Sequence, residues 1–315
     1  MIVSITHEHD LDGLGSQAIL NRYFSKSNRK ESIVDYYANY LDFVGKVTDI
    51  LKTDSLPSQL IITDIGYNED FNTLFSSFEN ARNRGCTIRW FDHHLVRKEI
   101  KENLNNKIAL YVNDASKCAA EIVKDYYLPD DPVAIKIAEY ARDVDFNSNN
   151  FQVANELQLI IAYNVGKGKE ENKNKIVKLL SEGKFEDKWF KSQLNSLQDW
   201  ISAESQFALD NVKVVNIRSF GKLAIAFAAM GGGRITRLLF NHFPDIKAAI
   251  GIDKRYEEII IHSEYLNCRN FANKFGGGGH KGRAGFKYNL LFTKENVLNT
   301  KFLKEMKKNI PKYID

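Results

Sequence analysis

Cysteine is scarce in this chain. Among 315 residues only Cys86, Cys118 and Cys268 carry a thiol, odd in number and without metal-type spacing. That excludes a disulfide framework and a zinc ribbon, fits a reducing compartment and leaves the three as packing residues. No apolar run nears membrane-spanning length, which argues against a transmembrane helix and a membrane partner. Residues 1–6 lack a basic region, a long apolar core and a cleavage site, so a cytoplasmic protein is expected. A strong charge of one sign is missing too. Lys plus Arg number 44 against 40 Asp plus Glu, a formal +4, so affinity for a polyanion must come from a local patch. The loop at 7–16 lacks the GxxxxGKS/T spacing and the third glycine of GxGxxG, which argues against a nucleotide-binding loop there, and there are no internal repeats.

What is present is an ordinary globular composition, 43% hydrophobic and 27% charged, over a length that supports two cores. β-Branched or apolar runs at 2–6, 33–38, 60–63, 87–91 and 108–112 read as strands, separated by helical patterns at 16–24, 41–52, 71–84 and 117–127. Asp131 followed by Pro132 marks a helix start, cap then proline, leading to Ala141-Arg142-Asp143-Val144-Asp145. Alternating strands and helices predict a parallel sheet covered on both faces. Strand signals vanish from 151 to 210, where helical patterns read as a connector, and the Lys/Asn-rich stretch 166–175 reads as a solvated loop. Strands return at 212–217, 223–228, 248–252, 258–262 and 284–288, with helices at 235–243 and, basic and terminal, at 293–308. The expected fold class is α/β: a parallel-sheet domain at 1–185, a helical linker at 186–210 and a smaller α/β domain at 211–315.

Carboxylates and imidazoles collect where these strands end. The run 88–91 leads into Asp92-His93-His94, 2–6 empties into His7-Glu8-His9-Asp10-Leu11-Asp12, 60–63 stops at Asp64, and the helix after Pro132 carries Asp143 and Asp145. Ligands of open parallel sheets bind beyond the carboxyl ends of the strands, so these clusters converge. An Asp-His-His turn by itself is as readily a hydrogen-bonded turn without chemistry; joint placement is what makes a site. Mixed Asp and His donors without thiolates suit a borderline divalent ion such as Mn²⁺ better than structural Zn²⁺, and Mg²⁺ prefers fewer nitrogens. Asp10 and Asp12 are spaced to address two ions. Two ions roughly 3.5 to 4 Å apart need a bridging carboxylate, and they activate water for in-line attack on phosphorus.

Farther along, Gly276-Gly277-Gly278-Gly279-His280-Lys281-Gly282-Arg283 offers unhindered backbone to an anion, although a glycine run alone is more often a flexible loop. Gly231-Gly232-Gly233 before Arg234 and Arg237 is either a plain turn or a second anion corner. His262, Trp90, Trp189 and Trp200 read as packing residues.

Taken in order, His7 with Asp10 and Asp12, Asp64, Asp92-His93-His94, Asp143, and then GGGGH with Ala284-Gly285 resemble the DHH family of phosphoesterases with its DHH-associated carboxyl-terminal domain. The resemblance spans nearly the whole chain. It implies a manganese-dependent hydrolase with a metal-binding catalytic first domain and a substrate-binding second one, with two Mn²⁺ as cofactors and Co²⁺ or Mg²⁺ as substitutes. It assigns His7 and Asp10 to the first ion, Asp12, His93 and a fourth-motif carboxylate to the second, and Asp64 to both. Asp143 is favoured for the fourth motif, with Asp145 supporting it, and His9 is a rival to His7. By the same resemblance Asp92 orients His93, His94 approaches the scissile phosphate, and Gly277, Gly278, Gly279, His280 and Arg283 hold the substrate's phosphate and sugar. Retention of every expected ligand favours catalysis over the family's non-catalytic replication scaffolds. The two-domain layout, without signs of an oligonucleotide-binding barrel, favours short oligonucleotides, nano-RNase fashion, with phosphoadenosine phosphate as a further substrate. A RecJ-like single-strand exonuclease and a cyclic-dinucleotide phosphodiesterase are the alternatives; pyrophosphatase is disfavoured, and a homodimer is left open.

Overall fold

Short runs, the central ones largely buried, build the first sheet. The computed structural model describes residues 1–26, 32–289, 291–293 and 297–314, and the chain divides into two units, Met1–Asn195 and Ser196–Asp315. In the first unit β1 (Ile2–His7), β2 (Ile33–Ala38), β3 (Gln59–Thr63), β4 (Thr87–Asp92) and β5 (Leu110–Asn113) form a wholly parallel sheet in the order β2-β1-β3-β4-β5. The helices are α1 (Leu11–Lys26), α2 (Phe43–Lys52), α3 (Leu74–Asn83), α4 (Lys98–Lys107), α5 (Ala119–Tyr127), α6 (Pro132–Asp145), α7 (Gln152–Tyr163), α8 (Glu170–Ser181) and α9 (Lys188–Asp210), the last carrying the boundary between the units. No helix among the described residues is long and apolar enough to cross a membrane.

Alternation along β1 divides the two faces. Val3 and Ile5 join Leu60, Ile62, Ile88 and Trp90 in a core with Phe43, Val47, Leu74, Phe78 and Leu104 of α2, α3 and α4. Ser4 and Thr6 turn to α1, where Gln17 Nε2 donates to Ser4 Oγ at 2.8 Å and Thr6 Oγ1 donates to the Gly13 carbonyl at 2.9 Å. Asp131 caps α6 as its sequence position foretells, accepting the Val133 and Ala134 N–H groups with Pro132 in the first turn.

Three stretches differ from expectation. Helix α1 begins at Leu11, not near 16, and takes Asp12, Gly13 and Gly15 into its first turns. A Cβ on Gly13 would sit 2.1 Å from the His7 carbonyl oxygen and one on Gly15 2.9 Å from Ile137 Cγ2, so these glycines serve close packing, which in sequence looks like a loop. Helix α4 was not anticipated because it buries only Leu104, too little for an apolar period.

The supposed solvated loop at 166–175 instead enters α8 at Glu170 and delivers a buried lysine. Lys173 and Glu8, 2% and 3% exposed in their side chains, pair at 2.5 Å. Glu8 also accepts from Asn39 Nδ2 and the Gly166 N–H, and Lys173 lies over the Tyr37 ring at 5.0 Å. Burial alone would raise the Glu8 pKa, but Lys173 and these donors hold it below the usual glutamate range. Its stabilising contribution is therefore complete at neutral pH and is lost as the pH falls through that lowered value. Lys173→Met, which strands a buried carboxylate, is expected to cost roughly 3 to 5 kcal/mol in urea unfolding at pH 7 and much less near pH 4, while adding Glu8→Gln recovers most of the loss. Equal losses at both pH values would contradict this account.

In the second unit β6 (Lys213–Ile217), β7 (Gly221–Ala228), β8 (Ile246–Asp253), β9 (Glu258–His262), β10 (Gly278–Gly279) and β11 (Arg283–Lys287) form a sheet ordered β10-β11-β9-β8-β7-β6, parallel only between β7 and β8. Its helices are α10 (Gly232–His242), α11 (Cys268–Asn273) and α12 (Thr300–Asn309). Ala224, Ala226 and Ala228 of β7 pack with Ile235 and Leu239 of α10. The alternate residues Leu223, Ile225 and Phe227 share a core with Phe271, Phe302 and Met306. The terminal helix starts at Thr300; of the expected 293–308, residues 294–296 lie outside the described residues.

Candidate metal centre

The polar residues gather where the strand order reverses. The chain leaves β1 for β2 on one side and returns to β3 on the other, so a crevice opens beyond the carboxyl ends of β1 and β3. His7 ends β1, Asp64 follows β3, and Asp92 ends β4 just before His93 and His94. His7 Nδ1 lies 2.9 Å from Asp10 Oδ2 and 3.6 Å from Asp64 Oδ2. Asp10 Oδ1 accepts the Gly13 N–H at 2.9 Å, so one carboxylate both steadies the start of α1 and faces His7. On the other side His93 Nε2 lies 3.4 Å from Asp64 Oδ1 and 3.6 Å from Asp12 Oδ2, while its Nδ1 is 3.5 Å from Asp145 Oδ2. His94 Nδ1 meets Asp92 Oδ1 at 2.8 Å.

Asp64 is the shared member. Its two oxygens face the two histidines separately, its backbone is left-handed at φ 55°, and its N–H donates to the Phe91 carbonyl at 3.0 Å. Such a conformation costs an L residue free energy and persists where the surroundings impose it. The side chain is buried, yet Oδ2 has no hydrogen-bond partner among the described residues. A buried carboxylate oxygen left so is unfavourable unless a cation faces it.

The charges say the same. Burial pulls the His7 pKa down, but Asp10 and Asp64 push it up to about 11. For His93 burial is likewise overcome, by Asp64, Asp12 and Asp145, to about 9. Burial and then the charges of Asp64 and Asp10 raise Asp12 well above the usual carboxylate range. The cluster thus recruits positive charge. Donor atoms of His7, Asp10 and Asp64, of Asp12, His93 and Asp145, and of Asp64, His93 and His94 lie within 4.8 Å of one another in each set. Oxygen and imidazole donors, two sets of them joined at Asp64, fit a pair of divalent cations.

The family description "DHH family, N-terminal domain" matches residues 1–162, just over half the chain. The chain belongs to the DHH family. Among solved structures, one similar in fold is the pGpG-specific phosphodiesterase PggH of Vibrio cholerae, at 13% identity and TM-score 0.56, with 99% of this chain and 100% of that one covered. Another is RecJ of Thermus thermophilus in complex with Mn²⁺, at 12% identity and TM-score 0.60, covering 99% of this chain but 51% of RecJ. CDC45 of Entamoeba histolytica is similar at 9% identity and TM-score 0.50, over 98% and 95% of the two chains. No curated protein matches the sequence.

Within this DHH domain two assignments need revision. Asp143 commits both oxygens to the Asn150 and Phe151 N–H groups, at 2.7 and 3.0 Å, and it is Asp145 that reaches His93. Periodicity carries that signal: Asp145 falls four residues after Ala141 and eight after Ile137, the side chains that α6 packs near Gly15 of α1. Asp92 holds His94 and not His93, whose Nδ1 faces Asp145. His9 is exposed and stacks on the His7 ring at 5.0 Å without joining the carboxylates. Sequence reasoning also missed Tyr40, whose ring stands edge-on to His7 and His94. A lone tyrosine after a strand gives no signal of this kind.

In the second unit the glycine run is half strand. Gly278 and Gly279 pair with Gly285 and Ala284, and a Cβ on Gly277 would meet the Gly285 carbonyl oxygen at 2.1 Å. His280 and Arg283 close the turn, His280 N–H to the Arg283 carbonyl at 2.7 Å, with the His280 side chain exposed. The Arg283 guanidinium lies against Gly233, and β11 sets Arg283 opposite His262 on β9. Burial, then the charge of Arg237, lowers the Arg283 pKa, and burial followed by Arg283 lowers that of His262. Arg237, Arg283 and His262 are thus held close against mutual repulsion.

Proposed function

We propose that this DHH protein is a divalent-metal-dependent phosphodiesterase that cleaves short oligonucleotides to mononucleotides. The observation that carries the reading is Asp64, a buried, strained carboxylate divided between two carboxylate–imidazole sets. His7, Asp10 and Asp64 would hold one cation, and Asp64, Asp12 and His93 the other, with Asp145 against the far nitrogen of His93. When bound, such a pair supplies Lewis-acid activation of water and phosphate. Asp92 fixes the tautomer of His94, leaving Nε2 to meet the scissile phosphate from a side chain 42% exposed. Arg283, Arg237 and His280 of the second unit would hold a further phosphate. Mixed imidazole and carboxylate donors favour Mn²⁺ over Mg²⁺. The pGpG-specific phosphodiesterase PggH, similar in fold over both full lengths, supports a substrate of dinucleotide size.

The test is a length series with purified protein and Mn²⁺ under single-turnover conditions. Dinucleotides are expected to give higher kcat/KM than long strands, whose overhang adds little transition-state stabilisation. A rate climbing steadily with length would replace this reading by the exonuclease one.

A further inference from the structure

The two most exposed large apolar side chains among the described residues are Leu95, 93% exposed, and Leu41, 87%; the next, Val297, is 53%. Single exposed leucines are ordinary on a protein surface. Each of these two follows in the chain one member of a single pair of rings. Leu95 follows His94, Leu41 follows Tyr40, and those rings meet edge to face at 6.4 Å. The Tyr40 ring also stands edge-on to His7 at 5.9 Å and stacks against Phe71 at 6.3 Å, and its hydroxyl accepts the Gly66 N–H at 3.1 Å. Gly66 lies so close to His94 that a Cβ there would come within 2.7 Å of the His94 Cβ. Tyr40 is therefore pinned at the edge of the metal centre, and an exposed leucine follows each of the two rings in the chain.

We propose that Tyr40, Leu41 and Leu95 form an apolar rim that receives the nucleobase next to the phosphate being cleaved. The inference rests on the phosphodiesterase reading and supplies what the metal ligands lack, since carboxylates and imidazoles do not sense whether a base is attached. Every base has a flat apolar face, so aromatic and aliphatic side chains bind all four without choosing among them. The substrate class narrows to nucleotidyl diesters, as against pyrophosphate or simple phosphate esters. Because both leucines are almost fully exposed, changing them leaves the fold intact.

The experiment compares wild type with Leu41→Ser/Leu95→Ser on a 5′-phosphorylated diadenylate and on its analogue lacking the bases, at saturating Mn²⁺. In wild type kcat/KM for the intact dinucleotide is expected to exceed that for the abasic one. In the variant this ratio falls about tenfold, mostly through KM, the equivalent of roughly 1.4 kcal/mol of lost base contact. An unchanged ratio overturns the proposal. So does an equal loss on both substrates accompanied by a changed sedimentation coefficient, which would assign the leucines to a contact between copies of the chain. Wild type hydrolysing neither substrate is the separate failure of the phosphodiesterase reading, and takes this inference with it.

Discussion

Asp64→Asn is expected to lower kcat/KM on a dinucleotide at least about a thousandfold, since the several kcal/mol of charge stabilisation a metal pair supplies depends on both ions being placed. Asparagine is the informative replacement. It tolerates the left-handed backbone that position 64 demands, so the turn after β3 survives, and it keeps one oxygen while losing the charge that both sets share. Titration calorimetry should find weaker and fewer Mn²⁺ bound by the variant than by wild type. A variant that keeps two tightly bound ions and activity within tenfold of wild type would remove Asp64 from the bridging position.

What made the DHH domain readable was regularity that one principle suffices to decode. The run at 60–63 is buried on both sides, and 88–91 largely so, because a parallel sheet with helices over both faces covers both, and a carboxylate closing such a run is out of place unless something holds it there. Asp64, Asp92, His93 and His94 stood out for that reason. The residues that were misjudged are those whose direction depends on helical phase or on contacts distant in sequence. Asp143 and Asp145 differ by two positions on a helix and so point to different sides, and it is Asp145, in phase with Ile137 and Ala141 on the side of α6 packed near Gly15 of α1, that meets His93. Lys173 looked like one more solvated lysine because its partner, Glu8, lies far away in sequence, and no local pattern marks a buried pair. The glycines of α1 show the same limit. Close approach to His7 and Ile137 is a fact of three-dimensional packing, and a glycine needed for it spells the same as a glycine in a turn.

The two carboxylate–histidine pairs can be told apart by experiment, and the outcomes should be opposite. Asp145→Asn removes the charge facing His93 Nδ1, whose other nitrogen points at Asp64 and Asp12. A carboxylate behind a ligating imidazole raises its basicity and fixes its tautomer, so the expected result is a Mn²⁺ affinity weakened about 10- to 100-fold, with kcat largely restored at saturating metal. Asp92→Asn instead disturbs His94, which meets Asp92 at 2.8 Å and is the more exposed of the two rings. If His94 serves the reacting phosphate, kcat should fall about a hundredfold, the range of a positioned acid–base group, with metal affinity unchanged and no rescue by added Mn²⁺. Asp92 is fully buried and also accepts from Asn113 Nδ2, so its variant will lose some stability. The metal titration separates that loss from the role assigned here, because a general loosening of the β4 end would weaken Mn²⁺ binding through the adjoining His93. Parallel losses of metal affinity in both variants would show that His94 is a ligand and not a substrate contact, and would move it into the set it already neighbours with Asp64 and His93.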